Sequence, residues 1–136
     1  MEAIENEDIE RIKSIIKHST ENKNILNLNE KNNFGKYPLC TAIYRNNIKI
    51  VQLLIEYALQ HKIILKLNEK DNFGNYPLLF AIRNNNIEIV KLLLEYALQH
   101  QIILEYERKD IKDKPQIKKL LQDYEKEREN RKKVNK

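Results

Sequence analysis

Apolar positions along this chain recur in blocks. Ile48, Val51, Leu54, Ile55 and Ala58 fall at three- and four-residue spacing, the mark of one buried helix face, and Ile87, Val90, Leu93, Leu94 and Ala97 repeat it. A shorter apolar block precedes each, opened by Pro38 or Pro77. Proline suits the first position of a helix because its missing N–H would be unpaired there anyway, so a first helix is predicted to about Arg45 and about Asn84. Asn46-Asn47 and Asn85-Asn86 then break it, since asparagine tolerates the left-handed conformation that ends helices. Ile63-Ile64-Leu65 and Ile102-Ile103-Leu104 are rich in β-branched residues and read as extended. Asn33-Phe34-Gly35 and Asn72-Phe73-Gly74 read as turns, with glycine free to take positive φ.

These blocks belong to an internal repeat. Residues 29–66 and 68–105 align at an offset of 39, with 27 of 38 positions identical. Both ends continue the register in part. Ala3-Ile4 falls on Ala42-Ile43, and Lys119–Tyr124 matches Lys91–Tyr96 at an offset of 28. The expected organisation is a repeat domain over 1–124, with a partial unit 1–28, repeats 29–67 and 68–106, and a partial capping unit 107–124. A charged tail, 125–136, follows, expected to fray or to lack structure. A repeat cannot bury its apolar face alone, so end units need one polar face. Ile9, Ile12, Ile15 and Ile16 form the inward stripe of an opening helix, and Ile117, Leu120, Leu121 and Tyr124 that of a closing one begun by Pro115.

Composition narrows the chemistry. Two glycines in 136 residues rule out Gly-rich phosphate cradles and dinucleotide turns. The single cysteine, Cys40, excludes an intrachain disulfide framework and a multi-thiolate metal site, and reads as core filling. An acidic start and no apolar run of about 18 residues argue against a secretory signal and a membrane helix. A soluble intracellular protein, cytoplasmic or nuclear, is expected.

The repeat resembles the ankyrin repeat. The family pattern T-P-L-H-x-A stands here as Tyr37-Pro38-Leu39-Cys40-Thr41-Ala42 and Tyr76-Pro77-Leu78-Leu79-Phe80-Ala81. Asn68, Asp71 and Gly74 match the residues of the family's hairpin turn, as do Asn29 and Gly35 in the earlier unit. Glu88-Ile89-Val90-Lys91-Leu92-Leu93-Leu94 matches the second helix. Tyr37 and Tyr76 replace the usual capping Thr, Cys40 and Leu79 the usual His, and the unit has 39 residues where 33 are usual. The resemblance implies an all-α fold, an ankyrin-like helical-hairpin solenoid with short hairpin loops between repeats.

It also implies a site. In such stacks the hairpin tips and the exposed side of the first helices line a concave face that selects a protein partner. By position this assigns Lys31, Asn33, Phe34, Lys36, Tyr44 and Arg45 in one unit, and Lys70, Asn72, Phe73, Asn75, Arg83 and Asn84 in the next. The two units differ on this face at Asn32/Asp71, Lys36/Asn75, Tyr44/Arg83 and Arg45/Asn84. Phe34 and Phe73 are either exposed anchors or residues folded back onto the neighbouring finger, and folding back is the favoured reading because both units carry them.

No catalytic constellation accompanies this face. Ser14 and His18 share a helix face without an orienting acid or an oxyanion donor, and His61 and His100 hold equivalent places suited to helix C-termini. A non-enzyme without cofactor or metal is expected. Ile, Asn and Lys, the residues of A- and T-rich codons, number 19, 17 and 19, so part of the net charge of +5 is discounted as composition. By unit the net charge runs −2 over 1–28, +4 over 29–67, −2 over 68–106 and +5 over 107–136, with no continuous basic stripe. The expected role is therefore a monomeric, non-catalytic protein-interaction module. The alternatives are a nucleic-acid or acidic-surface binder acting through the tail, and a fragment of a longer array.

Overall fold

The computed structural model describes residues 1–134 and, among them, contains helices and no strand. Eight helices form four pairs: α1 Glu2–Glu5 with α2 Ile9–Glu21, α3 Pro38–Tyr44 with α4 Ile48–Gln60, α5 Pro77–Arg83 with α6 Ile87–Gln99, and α7 Arg108–Ile111 with α8 Pro115–Val134. The first helices stack α1–α3–α5–α7 and the second helices α2–α4–α6–α8, giving a two-layered helical-hairpin solenoid. The proline-opened helices end within one residue of their predicted ends.

The backbone repeats as closely as the sequence does. Asp8, Asn47 and Asn86 cap the second helices, each side chain accepting from the N–H three residues on, at 3.1, 3.2 and 3.0 Å. Glu7, Asn46 and Asn85 take positive φ between the paired helices, and Lys23, Lys62 and Gln101 do so after the second. At each of these six turns an N–H reaches the carbonyl five residues back, such as Asn47 to Ala42 (3.1 Å) and Ile63 to Ala58 (2.9 Å). That Schellman closure satisfies carbonyls the helix leaves free.

The core runs through both layers. Tyr37, Leu39, Ile43, Ile50, Tyr57, Leu65, Leu78, Ile82, Ile89, Leu93, Tyr96 and Ile117 are almost fully buried, and Cys40 fills core space as expected. The opening helix meets its predicted stripe only in part: Ile12 is buried, Ile9 and Ile16 are half-buried, and Ile15 is exposed. Residues 125–134 do not fray but continue α8. Ion pairs at helical spacing line this stretch, Arg128–Glu125 at 2.7 Å and Arg131–Glu127 at 3.0 Å, and Arg131 Nη1 also donates to the Leu98 carbonyl at the end of α6 (3.3 Å). Asn135 and Lys136, the end of the expected tail, lie outside the described residues.

After α2, α4 and α6 the chain has neither helix nor strand over 24–28, 63–67 and 102–106, its burial alternating residue by residue from Ile25, Ile63 and Ile102 as in extended chain, and tyrosines from the following unit hold these segments. Tyr96 Oη accepts from Leu65 N–H (2.9 Å) and donates to the Ile63 carbonyl (3.2 Å). Tyr124 does the same with Leu104 (3.1 Å) and Ile102 (2.7 Å). Tyr57 accepts from Leu26 N–H at 2.9 Å, but Ser19 intervenes on the other side: Tyr57 Oη lies 2.6 Å from Ser19 Oγ, which donates to the Asn24 carbonyl at 2.7 Å. With the serine proton so engaged, Tyr57 is the donor to Ser19. Tyr57 and Tyr96, buried near the ends of α4 and α6, therefore also pin backbone. Asparagine amides join neighbouring segments. Asn29 donates to the Ile64 carbonyl (2.9 Å) and accepts from Lys66 N–H (3.2 Å), and Asn68 bridges Ile103 (2.7 Å) and Glu105 (3.0 Å) in the same way.

Candidate functional site

The fingers are closed by side chains. Asn32 Oδ1 accepts from the N–H groups of Phe34 (2.9 Å) and Lys36 (3.0 Å), and Asp71 Oδ1 from those of Phe73 (2.8 Å) and Asn75 (2.9 Å). Asn32/Asp71 is therefore a turn-forming pair and not a partner-facing difference, and Asp71 is buried. One finger leans on the next: Asn72 N–H donates to the Phe34 carbonyl (2.9 Å) and Asn72 Nδ2 to the Asn33 carbonyl (3.0 Å). Gly35, at φ +77°, leaves room for this contact, because a Cβ there would stand 2.6 Å from Asn72 Oδ1.

This geometry turns the tip aromatics outward. Phe34 is 58% exposed and Phe73 69%, so the folded-back arrangement favoured from the sequence is not the one adopted. The turn explains why. The Asn32 and Asp71 side chains hold the Phe34 and Phe73 amides, and those residues sit at the apex, away from the helices.

Behind the tips, fingers and first helices converge. Lys36 Nζ lies 4.3 Å from the centre of the Tyr44 ring and 5.6 Å from that of Phe80. Tyr44, exposed at the end of α3, meets Phe80 of the next unit edge to face, with ring centres 5.3 Å apart at 72°. Arg45 flanks the same ring at 5.9 Å. In the next unit the equivalent positions hold a polar pair, Arg83 Nη1 donating to Asn75 Oδ1 at 2.8 Å. One face thus carries a cation–aromatic cluster beside a guanidinium–amide pair.

Not every residue assigned by position is free to serve there. Asn72 is committed to the preceding finger, and Asn84 Nδ2 donates to the Ile43 carbonyl of the preceding unit (3.2 Å). Lys31 pairs with Glu69 at 3.3 Å, while Asn33 and Lys70 are exposed. Phe80 was missed. It stands where the other repeat has Thr41, and nothing in an apolar sequence position announces that its ring edge will support Tyr44.

No acid–base or nucleophile arrangement faces this surface among the described residues. The Cys40 thiol is buried and pushed up to about 12, mainly by that burial, with Asp71 adding to the rise and Lys36 and Lys31 opposing it. It therefore remains a thiol at neutral pH. The Tyr37 hydroxyl is likewise raised, first by burial and then by Cys40 and Glu69. His61 and His100 occupy the ends of α4 and α6 as expected, tilted against Tyr57 and Tyr96 at 42° and 39° with ring centres 4.2 and 4.3 Å apart. Among the described residues no group of His, Cys, Asp and Glu could hold a metal, and no helix is long and apolar enough to cross a membrane. A mainly apolar cavity of about 410 Å³ lies between the first and second units, walled by Ile12, Ile15, Ile16, Leu26 and Leu28 with Leu54 and Tyr57, and Lys31 of the candidate face lines it too.

A family model for ankyrin repeats, in three copies, matches residues 1–105. No curated protein and no solved structure matches the chain.

Proposed function

Because the chain belongs to the ankyrin repeat family, whose repeats are generally non-catalytic protein–protein interaction modules, we propose that it acts as a monomer that holds one partner protein on its concave face. The observation that carries this reading is the outward stance of Phe34 and Phe73 above the Lys36–Tyr44–Phe80 cluster. Exposed aromatic rings beside Arg and Lys supply large contact area at low conformational cost, the composition of interface anchors. Lys31, Asn33, Lys36, Tyr44, Arg45, Lys70, Asn75 and Arg83 form the surrounding contact surface. Asn72 and Asn84 act by holding its shape.

The competing reading, nucleic-acid binding through the tail, has less support. Arg128 and Arg131 already face Glu125 and Glu127, and phosphate binding draws on cations free to release counterions.

Affinity capture from source-cell lysate at moderate salt, with wild type, Phe34→Ser/Phe73→Ser and a deletion of 125–136, tests the proposal. A protein retained by wild type and by the deletion but lost with the double variant is expected. Both phenylalanines are exposed, so the variant should keep its helical content and lose no more than about 0.5 kcal/mol of stability. Nucleic acid recovered only when the tail is present would overturn the reading.

A further inference from the structure

We infer that the stack carries a second docking edge, a ridge of three isoleucines suited to an acidic amphipathic helix. Ile25, Ile64 and Ile103 are 49%, 54% and 60% exposed and occupy the same register position in three successive extended segments. Side chains of extended chain alternate between two sides. Leu26, Leu65 and Leu104 turn toward the core, where the Tyr57, Tyr96 and Tyr124 hydroxyls grip their N–H groups, and the isoleucine before each turns to solvent.

The segments are neighbours, tied by Asn29 to Ile64 and Lys66, and by Asn68 to Ile103 and Glu105. The isoleucines therefore stand side by side on pinned backbone. An apolar side chain so held loses little freedom on binding.

Spacing and charge together select the occupant. Helix layers stack about 8–10 Å apart, so successive isoleucines recur at about that interval. A helix presents the same face every seven residues, a rise of about 10.5 Å, and can meet all three with one stripe. An extended strand advances about 10 Å in three residues, an odd number that turns the next side chain away. Within two residues of the three isoleucines lie Lys23, Lys62 and Lys66 against one acid, Glu105, with Lys66 itself 3.7 Å from Glu69. Arg128, Arg131 and Lys132 line the groove beside Ile103, where the two arginines already pair with Glu125 and Glu127, so Lys132 supplies the groove's positive charge. An acidic helix with heptad-spaced apolar residues fits both the period and the charge.

The test uses the full chain and a fluorescently labelled synthetic peptide of about three heptads, leucine at a and d and glutamate at the flanks. A peptide of the same composition with leucine at alternate positions is the control. Saturable anisotropy with the heptad peptide is expected, weakened at least about tenfold in Ile64→Glu/Ile103→Glu and in the milder Ile64→Ser/Ile103→Ser, with circular dichroism verifying that each variant is folded. Equal binding by folded variants, preference for the alternating peptide or absence of saturation would each overturn the inference. So would sedimentation showing a wild-type dimer that the same variants dissolve, since the ridge would then belong to a second copy.

Discussion

The Tyr96 hydroxyl accepts a hydrogen bond at 2.9 Å from the N–H of Leu65, 31 residues earlier in the chain and buried. Its proton goes to the Ile63 carbonyl, so one side chain replaces the pairing that an extended segment would otherwise seek in a sheet. Tyr96→Phe should keep the ring packing and orphan the Leu65 amide, lowering stability by about 1–3 kcal/mol. Tyr124→Phe should behave alike. Tyr57→Phe should lose less, because Leu26 is only half-buried and Ser19 keeps its own bond to Asn24. Urea unfolding of the three variants gives the order.

The two tip glycines should not respond equally to alanine. Both stand at positive φ, +77° for Gly35 and +81° for Gly74, where a side chain adds about 1–2 kcal/mol of strain. Only Gly35 faces another finger: its Cβ would stand 2.6 Å from Asn72 Oδ1 and 2.9 Å from Asn72 N, while Gly74 has open space. Gly35→Ala should therefore unfold at lower urea than Gly74→Ala. Matching midpoints would mean that the fingers do not touch.

Stability should decline in alkali. Cys40 is raised from its ordinary 9.0 to about 12, and Tyr37, Tyr76, Tyr96, Tyr106 and Tyr124 are raised as well, each chiefly by burial. The folded chain holds these protons after the unfolded chain has released its own. The stabilisation is thus complete below pH 9.0 and is lost as pH climbs toward about 12. Urea midpoints measured at about pH 8 and about pH 11 should fall between the two, and unchanged midpoints would contradict the burial of these groups.

Removing residues 129–136 should reduce helical signal yet change stability by less than about 1 kcal/mol. The described part is helical through Val134 but rests on α6 through the exposed Arg131 contact to the Leu98 carbonyl. Circular dichroism with urea titration separates the two effects.

Features that depend on local chemistry were legible in the sequence. Pro38 and Pro77 mark helix starts, Asn46 and Asn85 the turns after them, and the helical-hairpin architecture follows from their recurrence. Features that depend on distant partners were not. The tyrosine grips join an ordinary apolar-stripe residue to backbone groups, which leave no trace in residue type. The length of α8 was misjudged because its apolar stripe ends at Tyr124, whereas Arg128–Glu125 and Arg131–Glu127 sustain the helix beyond it. Asparagine does more than the helix breaking expected of it. Asparagine, abundant enough to suggest codon bias, caps helices at Asn47 and Asn86, turns the chain at Asn46 and Asn85, and ties segments at Asn29 and Asn68. On the candidate face, the stance of Phe34 depends on how Asn32 closes its turn, and the support of Tyr44 on a ring from the next unit, and residue type announces neither.

The tyrosine grips also impose a direction on assembly. Each reaches from a later unit to an earlier one, so a segment emerging from the ribosome waits for a residue not yet made. Leu65 precedes Tyr96 by 31 residues, an interval of about 2–6 s at synthesis rates of about 5–20 residues per second. During that interval the nascent segment displays unpaired amides beside exposed Ile64, the state in which a growing chain is most open to a chaperone or to mispairing with another copy.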